Sequence, residues 1–301
     1  MRTIKLNSTF DNTTLYINVY DVKNPKAIVQ IVHGMMEHQL RYKEFAEFLN
    51  KNNYTVVTSD IRGHGHNITE NELGYMGDKN QGKALVLDQI TITNYINKNY
   101  PNQKVYLLGH SMGTMICRNI IHEYDYMYSK LVLSGAPAPQ GIASIALGLT
   151  NLIGLFKGNH HKSNLLKELS IGPFIKSVKN YKTKNDWLSY NEENVMNYNN
   201  DPLCGFPFKI SAYKGLFSIL IGMSMKKKYK ILNPNLPIYF LSGQDDPCTL
   251  GPKGLIKSIK ILQKVGYNYI SYKTYDNMRH EILLEKNKDV VYNDILKFYE
   301  S

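Results

Sequence analysis

Gly109-His110-Ser111-Met112-Gly113 is a G-x-S-x-G pentapeptide set between an apolar run ending at Leu108 and a helical pattern opening at Met112. That placement suits a nucleophile held on a tight strand-to-helix turn. The residues two before and two after the serine approach each other on such a turn, so they must be small. The serine oxygen then projects from the carboxyl end of the strand. A serine hydroxyl is a weak nucleophile alone; it needs a base, and the base needs an orienting partner. An elbow of this kind takes those partners later in the chain, acid before histidine. Leu241-Ser242-Gly243-Gln244-Asp245-Asp246-Pro247 sets two carboxylates just past a strand-like run, and Met278-Arg279-His280-Glu281 follows the last such run. His280 is the one histidine after Ser111 at a strand end; His122 falls in the helix after the elbow, and His160 and His161 in a strandless stretch. The acid is Asp245 or Asp246. Asp246 is favoured because Pro247 fixes the turn just after it, which leaves Asp245 as a solvated loop residue or turn cap. The chemistry is acyl transfer, and it needs two backbone N–H groups to hold an oxyanion. Met112, after the serine, supplies one, and Met35, after the early strand that ends in His33-Gly34, supplies the other. His33 itself reads as a buried histidine bonded to a loop carbonyl.

Other polar clusters carry less. Asp60-Ile61-Arg62-Gly63-His64-Gly65-His66 matches no common zinc spacing and reads as a turn that steadies neighbouring loops. Cys117, Cys204 and Cys248 are odd in number and widely spaced, against a disulfide framework and against zinc. No metal and no organic cofactor is expected. The formal net charge of +11 would attract anions. The lysines are nevertheless dispersed along the chain; the densest run, Lys226, Lys227, Lys228 and Lys230, is short and has no nucleic-acid motif beside it. Nucleic acid is therefore not expected as a partner. The first ten residues alternate polar and apolar types without a signal-like apolar core, and no apolar stretch reaches the roughly 18 residues of a membrane span. A cytoplasmic location is expected.

The elements that must hold these residues alternate. Strand-like runs at Ala27–Val32, Tyr54–Thr58, Lys104–Leu108 and Lys130–Ser134 are separated by helical patterns, which implies a mostly parallel sheet covered on both faces. Two alternating segments before Asp21 suggest an antiparallel hairpin at one edge. After Pro139 the alternation stops for about 100 residues with only helical patterns, then resumes at Leu236–Leu241. A helix near Lys253–Val265, a strand at Tyr269–Tyr275 and a closing helix with Val291, Ile295 and Phe298 on one face complete the chain. The expected organisation is a core from 1–137, a helical insertion over 138–233 and the rest of the core over 234–301. Both ends of the insertion emerge at the carboxyl edge of the sheet, so it is expected to cover Ser111 as a cap. Its apolar residues, Leu203, Phe206 and Phe208 among them, are candidate substrate contacts, and Ile142–Phe156 is a candidate for peripheral membrane contact.

Together these pieces resemble the monoacylglycerol lipase and lysophospholipase family of α/β-hydrolases, grouped with serine aminopeptidases. The resemblance rests on His33-Gly34-Met35-Met36-Glu37-His38 with Arg41-Tyr42, Asp60-Ile61-Arg62-Gly63-His64-Gly65, the serine pentapeptide, Gly243-Gln244-Asp245-Asp246-Pro247 and Arg279-His280-Glu281. It extends to Asp186-Trp187-Leu188-Ser189 and to Asp201-Pro202-Leu203-Cys204-Gly205-Phe206, which look like cap segments. Asn67 stands where a serine is usual and Thr114 where a glycine is usual. The resemblance implies an α/β-hydrolase fold with a helical cap, hydrolysis of a carboxylic ester with a lipid acyl chain foremost, and an acid three residues after the glycine, which is Asp246. An aminopeptidase of the same fold is the alternative; it would need an acid near the pocket for the substrate ammonium, with Glu192 and Glu193 as candidates. A non-catalytic binding protein is the further alternative, which a complete triad argues against.

Overall fold

The computed structural model describes residues 1–68 and 72–301. Runs dense in Val, Ile and Leu have apolar neighbours on both sides and form the middle of a sheet. Its strands are β1 (Arg2–Asn7), β2 (Thr14–Tyr20), β3 (Ile28–Val32), β4 (Thr55–Ser59), β5 (Val105–His110), β6 (Lys130–Ser134), β7 (Ile238–Gly243) and β8 (Ile270–Tyr275). They stand in the order β1-β2-β4-β3-β5-β6-β7-β8. β1 and β2 form an antiparallel hairpin laid antiparallel on β4, and every other pairing is parallel. β7 starts one residue past Pro237, which has no N–H to give to a ladder.

The helices are α1 (Lys43–Lys51), α2 (Gln81–Asn99), α3 (Met112–Ile120), α4 (Ala143–Lys157), α5 (Asn164–Ser177), α6 (Glu192–Asn200), α7 (Ile210–Gly222), α8 (Gly251–Val265) and α9 (Lys288–Glu300). The period-two alternation of a strand sends Val29 and Ile31 to one face of the sheet and Ile28 and Val32 to the other. On the first face lie α1, through Phe45 and Leu49, and α9, through Val291, Tyr292 and Ile295. Tyr299 of α9 is fully buried, whereas Phe298 is only partly so. On the second face lie α2, α3 and α8, with Ile92, Ile116, Leu255 and Ile259 in one continuous core.

Between β6 and β7 the described chain is helical, α4 to α7. α7 packs against α2 and α3 as well as α4. Its Tyr213, Leu216 and Ile219 belong to the same core as the second face of the sheet. The later part of 138–233 is thus bound into the body of the protein.

β3 lies between β4 and β5, so the chain leaves β3 in one direction across the sheet and returns past it to reach β5. Such a switch point opens a crevice beyond the carboxyl ends of the two strands. The turns that leave β3 and β5 face each other there, and they carry Met35 and Ser111.

Candidate active site

Ser111 sits between β5 and α3 with φ 51° and ψ −118°. A non-glycine residue at positive φ is held there only by its surroundings. Those surroundings are close: a Cβ on Gly109 would fall 2.7 Å from the backbone of Gly113, and one on Gly113 would fall 2.1 Å from Val32 O. Both positions need glycine because the elbow is pressed onto itself and onto the end of β3. Ser111 N donates to Ser134 O at 2.9 Å, tying the turn to β6. Thr114, at the position where glycine is usual, is fully buried, and its hydroxyl donates to Ser111 O at 2.7 Å. Asn67, the other unusual residue, accepts from Tyr16 N and donates to Asp60 O, so it joins β2 to the turn after β4.

His280 follows β8 and Asp246 follows β7. His280 Nδ1 lies 3.0 Å from each carboxylate oxygen of Asp246. Both residues are buried. Burial opposes a charge on His280, but the Asp246 carboxylate outweighs it and raises the imidazole above the ordinary histidine value of 6.5. Asp246 also accepts from Cys248 N at 2.8 Å, which fixes its rotamer. Asp245 turns away: it is exposed and accepts from Tyr190 OH at 2.9 Å. Of the two carboxylates, Asp246 alone meets the histidine. His110, buried 4.8 Å ring-to-ring from His280, is pushed down to about 4 by burial and by that neighbour, so it stays neutral.

Ser111, His280, Met35 and Met112 line one cavity of about 400 Å³. Met112 is the first residue of α3, so its N–H is among those a helix leaves without an internal partner. On either side of Met35 the amides are engaged. Gly34 N donates to Glu37 Oε1, and Met36 N donates to His64 Nε2 at 3.1 Å. His64 can accept because burial, with His33 adding to it, pushes it down to about 3, and its other nitrogen contacts Arg62 O at 3.1 Å. Arg62 in turn binds Asp88 and Asp11. The Arg-Gly-His-Gly turn therefore steadies the loop after β3. His33 Nδ1 contacts Gly34 O at 2.8 Å and its Nε2 accepts from Ile61 N at 2.8 Å, so this histidine ties the loop after β3 to the turn after β4.

The sequence signalled Glu37, Arg41 and Glu281 only as parts of motifs; the fold brings them together. Arg41 Nη1 binds Glu37 at 2.7 Å and Glu281 at 2.5 Å, and Nη2 binds Glu281 at 2.8 Å and Asn194 Oδ1 at 2.9 Å. The Tyr198 ring lies 5.0 Å from the guanidinium. One buried cation thus joins the loop after β3, the loop that carries His280, and α6. Burial would push the Glu37 carboxyl up, but Arg41 holds it down to about 2.

Much of the rest of the cavity wall is apolar and comes from the insertion, with Ile142 and Leu149, Phe174 and Ile175, Trp187, Leu216 and Phe217; Gln140, Lys167, Ser170, Lys184 and Asn185 add polar groups from the same segment. The Trp187 ring lies 5.1 Å from that of His280. Leu203, Phe206 and Phe208, expected as substrate contacts, are not among the lining residues. Phe206 and Phe208 instead stand edge-on to His64 at 5.1 and 5.4 Å and belong to the main core. Apolar character alone does not separate a cavity wall from a core contact.

A family model described as serine aminopeptidase S33 matches residues 23–287. The chain belongs to that family. Among characterised relatives, this S33-family chain is 31% identical to human monoglyceride lipase over 185 residues, 60% of this chain and 52% of the relative. It spans about half the length of the first curated relatives it matches. It is 25% identical to the monoacylglycerol lipase of Mycolicibacterium smegmatis over 94% of this chain and 92% of that one. A carboxyl esterase from Bacillus coagulans, solved with glycerol, superposes with TM-score 0.92 at 25% identity over 99% and 97% of the two chains. The S33-family chain has the α/β-hydrolase fold.

Among the described residues of the S33-family chain, two groups of side chains have metal-ligand chemistry within 4.8 Å: His38, Asp201 and Cys204, and Asp246, Cys248 and His280. In each the histidine is hydrogen-bonded to the carboxylate, at 2.8 Å and 3.0 Å. Burial raises both thiols, Cys248 to about 11, which disfavours the thiolate a metal would need. All three cysteines are free and buried.

Proposed function

We propose that this protein hydrolyses carboxylic esters through an acyl-enzyme on Ser111, with a lipid monoester, a monoacylglycerol or lysophospholipid, as the substrate class. His280 takes the proton of Ser111 as the hydroxyl attacks the ester carbonyl. The N–H groups of Met35 and Met112 hold the oxyanion, and Asp246 holds the imidazole in the required tautomer and stabilises the imidazolium. The alcohol leaves with the proton from His280. Water then attacks the acyl-enzyme by the same route and frees the acid, so no cofactor is needed.

The observation that carries this reading is one cavity containing an elbow serine, a histidine paired to a buried carboxylate, and a long apolar wall. That wall suits an acyl chain. Relatives named monoglyceride and monoacylglycerol lipase support the same substrate class. The peptidase alternative finds little support. Glu192 is exposed and bonded to Lys182, Glu193 is exposed, and the two acids that line the cavity, Glu37 and Glu281, are both held by Arg41. A panel of monoacylglycerols, lysophospholipids, short nitrophenyl esters and aminoacyl amides tests the reading. Long-chain monoesters should be cleaved fastest, and preference for aminoacyl amides would refute it.

In this reading residues 138–233 act as the cap, with α4, α5 and Trp187 closing over Ser111. The outer face of α4 supports peripheral membrane contact: Ile145, Leu155 and Phe156 are 72%, 78% and 76% exposed. A Leu152→Asp, Phe156→Asp variant should lose binding to lipid vesicles; unchanged binding would remove the contact. A cytoplasmic location accords with three free thiols. Among the described residues no helix is long and apolar enough to cross a membrane.

A further inference from the structure

The lysines that look dispersed in the sequence are gathered in space. On α8, Lys253, Lys257, Lys260 and Lys264 recur at intervals of four, three and four, which keeps them within an arc of about 60° and spreads them over about 16 Å of helix. All four are exposed, while Leu255, Ile259 and Leu262 on the far side are buried in the core. Lys226 faces them across a groove of about 720 Å³ whose floor includes Ile256 and Ile261. No acid lines this groove. Among the described residues none of the five lysines forms an ion pair with an acid, and α8 contains no Asp or Glu at all.

Like charges three and four residues apart destabilise a helix, so this row is held against its own repulsion unless anions sit over it. Exposed apolar side chains flank it: Met225 beside Lys226, and Leu250 just before α8. The row also reaches the mouth of the cavity. Lys257 Nζ donates to Pro139 O at 3.4 Å, just before Ile142, and Ile142 and Ile145 are exposed residues that line the cavity.

We propose that the lysine face of α8, with Lys226, docks on the acidic phospholipid headgroups of a membrane and sets the cavity mouth at Ile142 and Ile145 against the bilayer. A single small anion would be satisfied by two lysines. Five, drawn out in a row, match a plane of fixed negative charges, and a headgroup layer also accepts the apolar side chains at the rim. Docking rests on the ester-hydrolase reading only for its purpose, the delivery of a lipid substrate; binding itself requires no catalysis.

The test is cosedimentation of the full chain with vesicles of phosphatidylcholine alone and of phosphatidylcholine with phosphatidylglycerol. The proteins compared are the wild type, a Lys253→Gln, Lys257→Gln, Lys260→Gln, Lys264→Gln variant, and a control with Lys23, Lys51, Lys98 and Lys104 changed to Gln. The two variants have equal net charge, and all eight positions are exposed. The wild type should bind the acidic vesicles in a salt-dependent manner and the neutral ones weakly. The α8 variant should bind the acidic vesicles at least about 50-fold less, since each lysine near an anionic surface contributes roughly a factor of five. The control should stay within about threefold of wild type. Cleavage of a soluble nitrophenyl ester should be unchanged in the α8 variant, while cleavage of a monoester carried in acidic vesicles falls. Equal losses in both variants, indifference of the wild type to phosphatidylglycerol, or retention of duplex DNA in preference to acidic vesicles would each overturn the proposal. A wild type that binds acidic vesicles through α8 but cleaves no ester would refute the hydrolase reading and leave the docking surface standing.

Discussion

Replacing Arg41 with glutamine isolates the buried charge cluster that joins the loop after β3, the loop of His280 and α6. The Glu37 and Glu281 side chains are 3% and 4% exposed, and Arg41 is the cation bonded to both. Removing one partner of a buried pair costs about 3–5 kcal/mol, because the charge left behind is neither hydrated nor matched. At about 2–4 °C per kcal/mol for a chain somewhat smaller than this one, the melting temperature should fall by roughly 6–20 °C at pH 8. The pH dependence has a definite sign. In the wild type Arg41 holds Glu37 down to about 2, so its contribution is present above the unfolded value of about 4.5 and is lost only as pH falls toward 2. In Arg41→Gln the largest influence opposing burial is gone, leaving Glu37 with the Gly34 N–H and the Tyr42 hydroxyl, and the folded carboxyl should rise above its unfolded value. The variant then binds a proton on folding, is least stable at high pH, and recovers as pH falls toward 5. Thermal unfolding followed by circular dichroism at pH 5, 6.5 and 8 measures this directly. A Glu37→Gln, Arg41→Gln, Glu281→Gln variant, with no charge left in this cluster, should regain much of the loss. A melting temperature within 2 °C of wild type, or a deficit that does not change with pH, would refute the reasoning.

Asp246→Asn should lower kcat by about 10⁴, the scale for losing the orienting carboxylate, while Asp245→Asn should stay within about threefold; steady-state kinetics on a nitrophenyl ester separates them. Because Asp246 raises His280 above 6.5 and the base must be neutral to act, the acid limb of kcat/KM should lie above pH 6.5, and in the residual activity of Asp246→Asn it should move to lower pH. A wild-type limb below 6 would contradict the pairing. Cys248 Sγ lies 3.9 Å from His280 Nε2, but burial raises its thiol to about 11. Cys248→Ser should therefore keep activity within about threefold, and iodoacetamide at pH 8 should inhibit neither protein; rapid inhibition of the wild type alone would show a reactive thiol.

The strands, the hairpin at the edge and the order of the site residues were legible because each has a local signature: apolar runs for buried strands, alternation for the hairpin, small residues around Ser111 for a crowded elbow. Pro247 pointed to Asp246 over Asp245 for a local reason as well, and the geometry pairs Asp246 with His280. What was not legible depends on which surfaces meet. Phe206 and Phe208 are as apolar as Phe174 and Phe217, yet the first pair packs on His64 and the second lines the cavity. The Glu37–Arg41–Glu281 cluster draws on segments some 240 residues apart, and spacing cannot report that closure. The lysine row of α8 was hidden by counting charges along the chain, when a helix gathers every third and fourth residue and the fold adds Lys226 from a different segment.

Site mapping of a covalent adduct tests the central claim most directly. The protein is treated with a long-chain alkyl fluorophosphonate, digested, and analysed by tandem mass spectrometry, beside Ser111→Ala and His280→Ala. The expected result is one adduct per chain on Ser111 in the wild type, none in Ser111→Ala, and labelling slowed by about 10³-fold or more in His280→Ala, since the base that activates the hydroxyl is gone. An adduct on another residue, or wild-type labelling at the rate of His280→Ala, would contradict an acyl-enzyme built on Ser111.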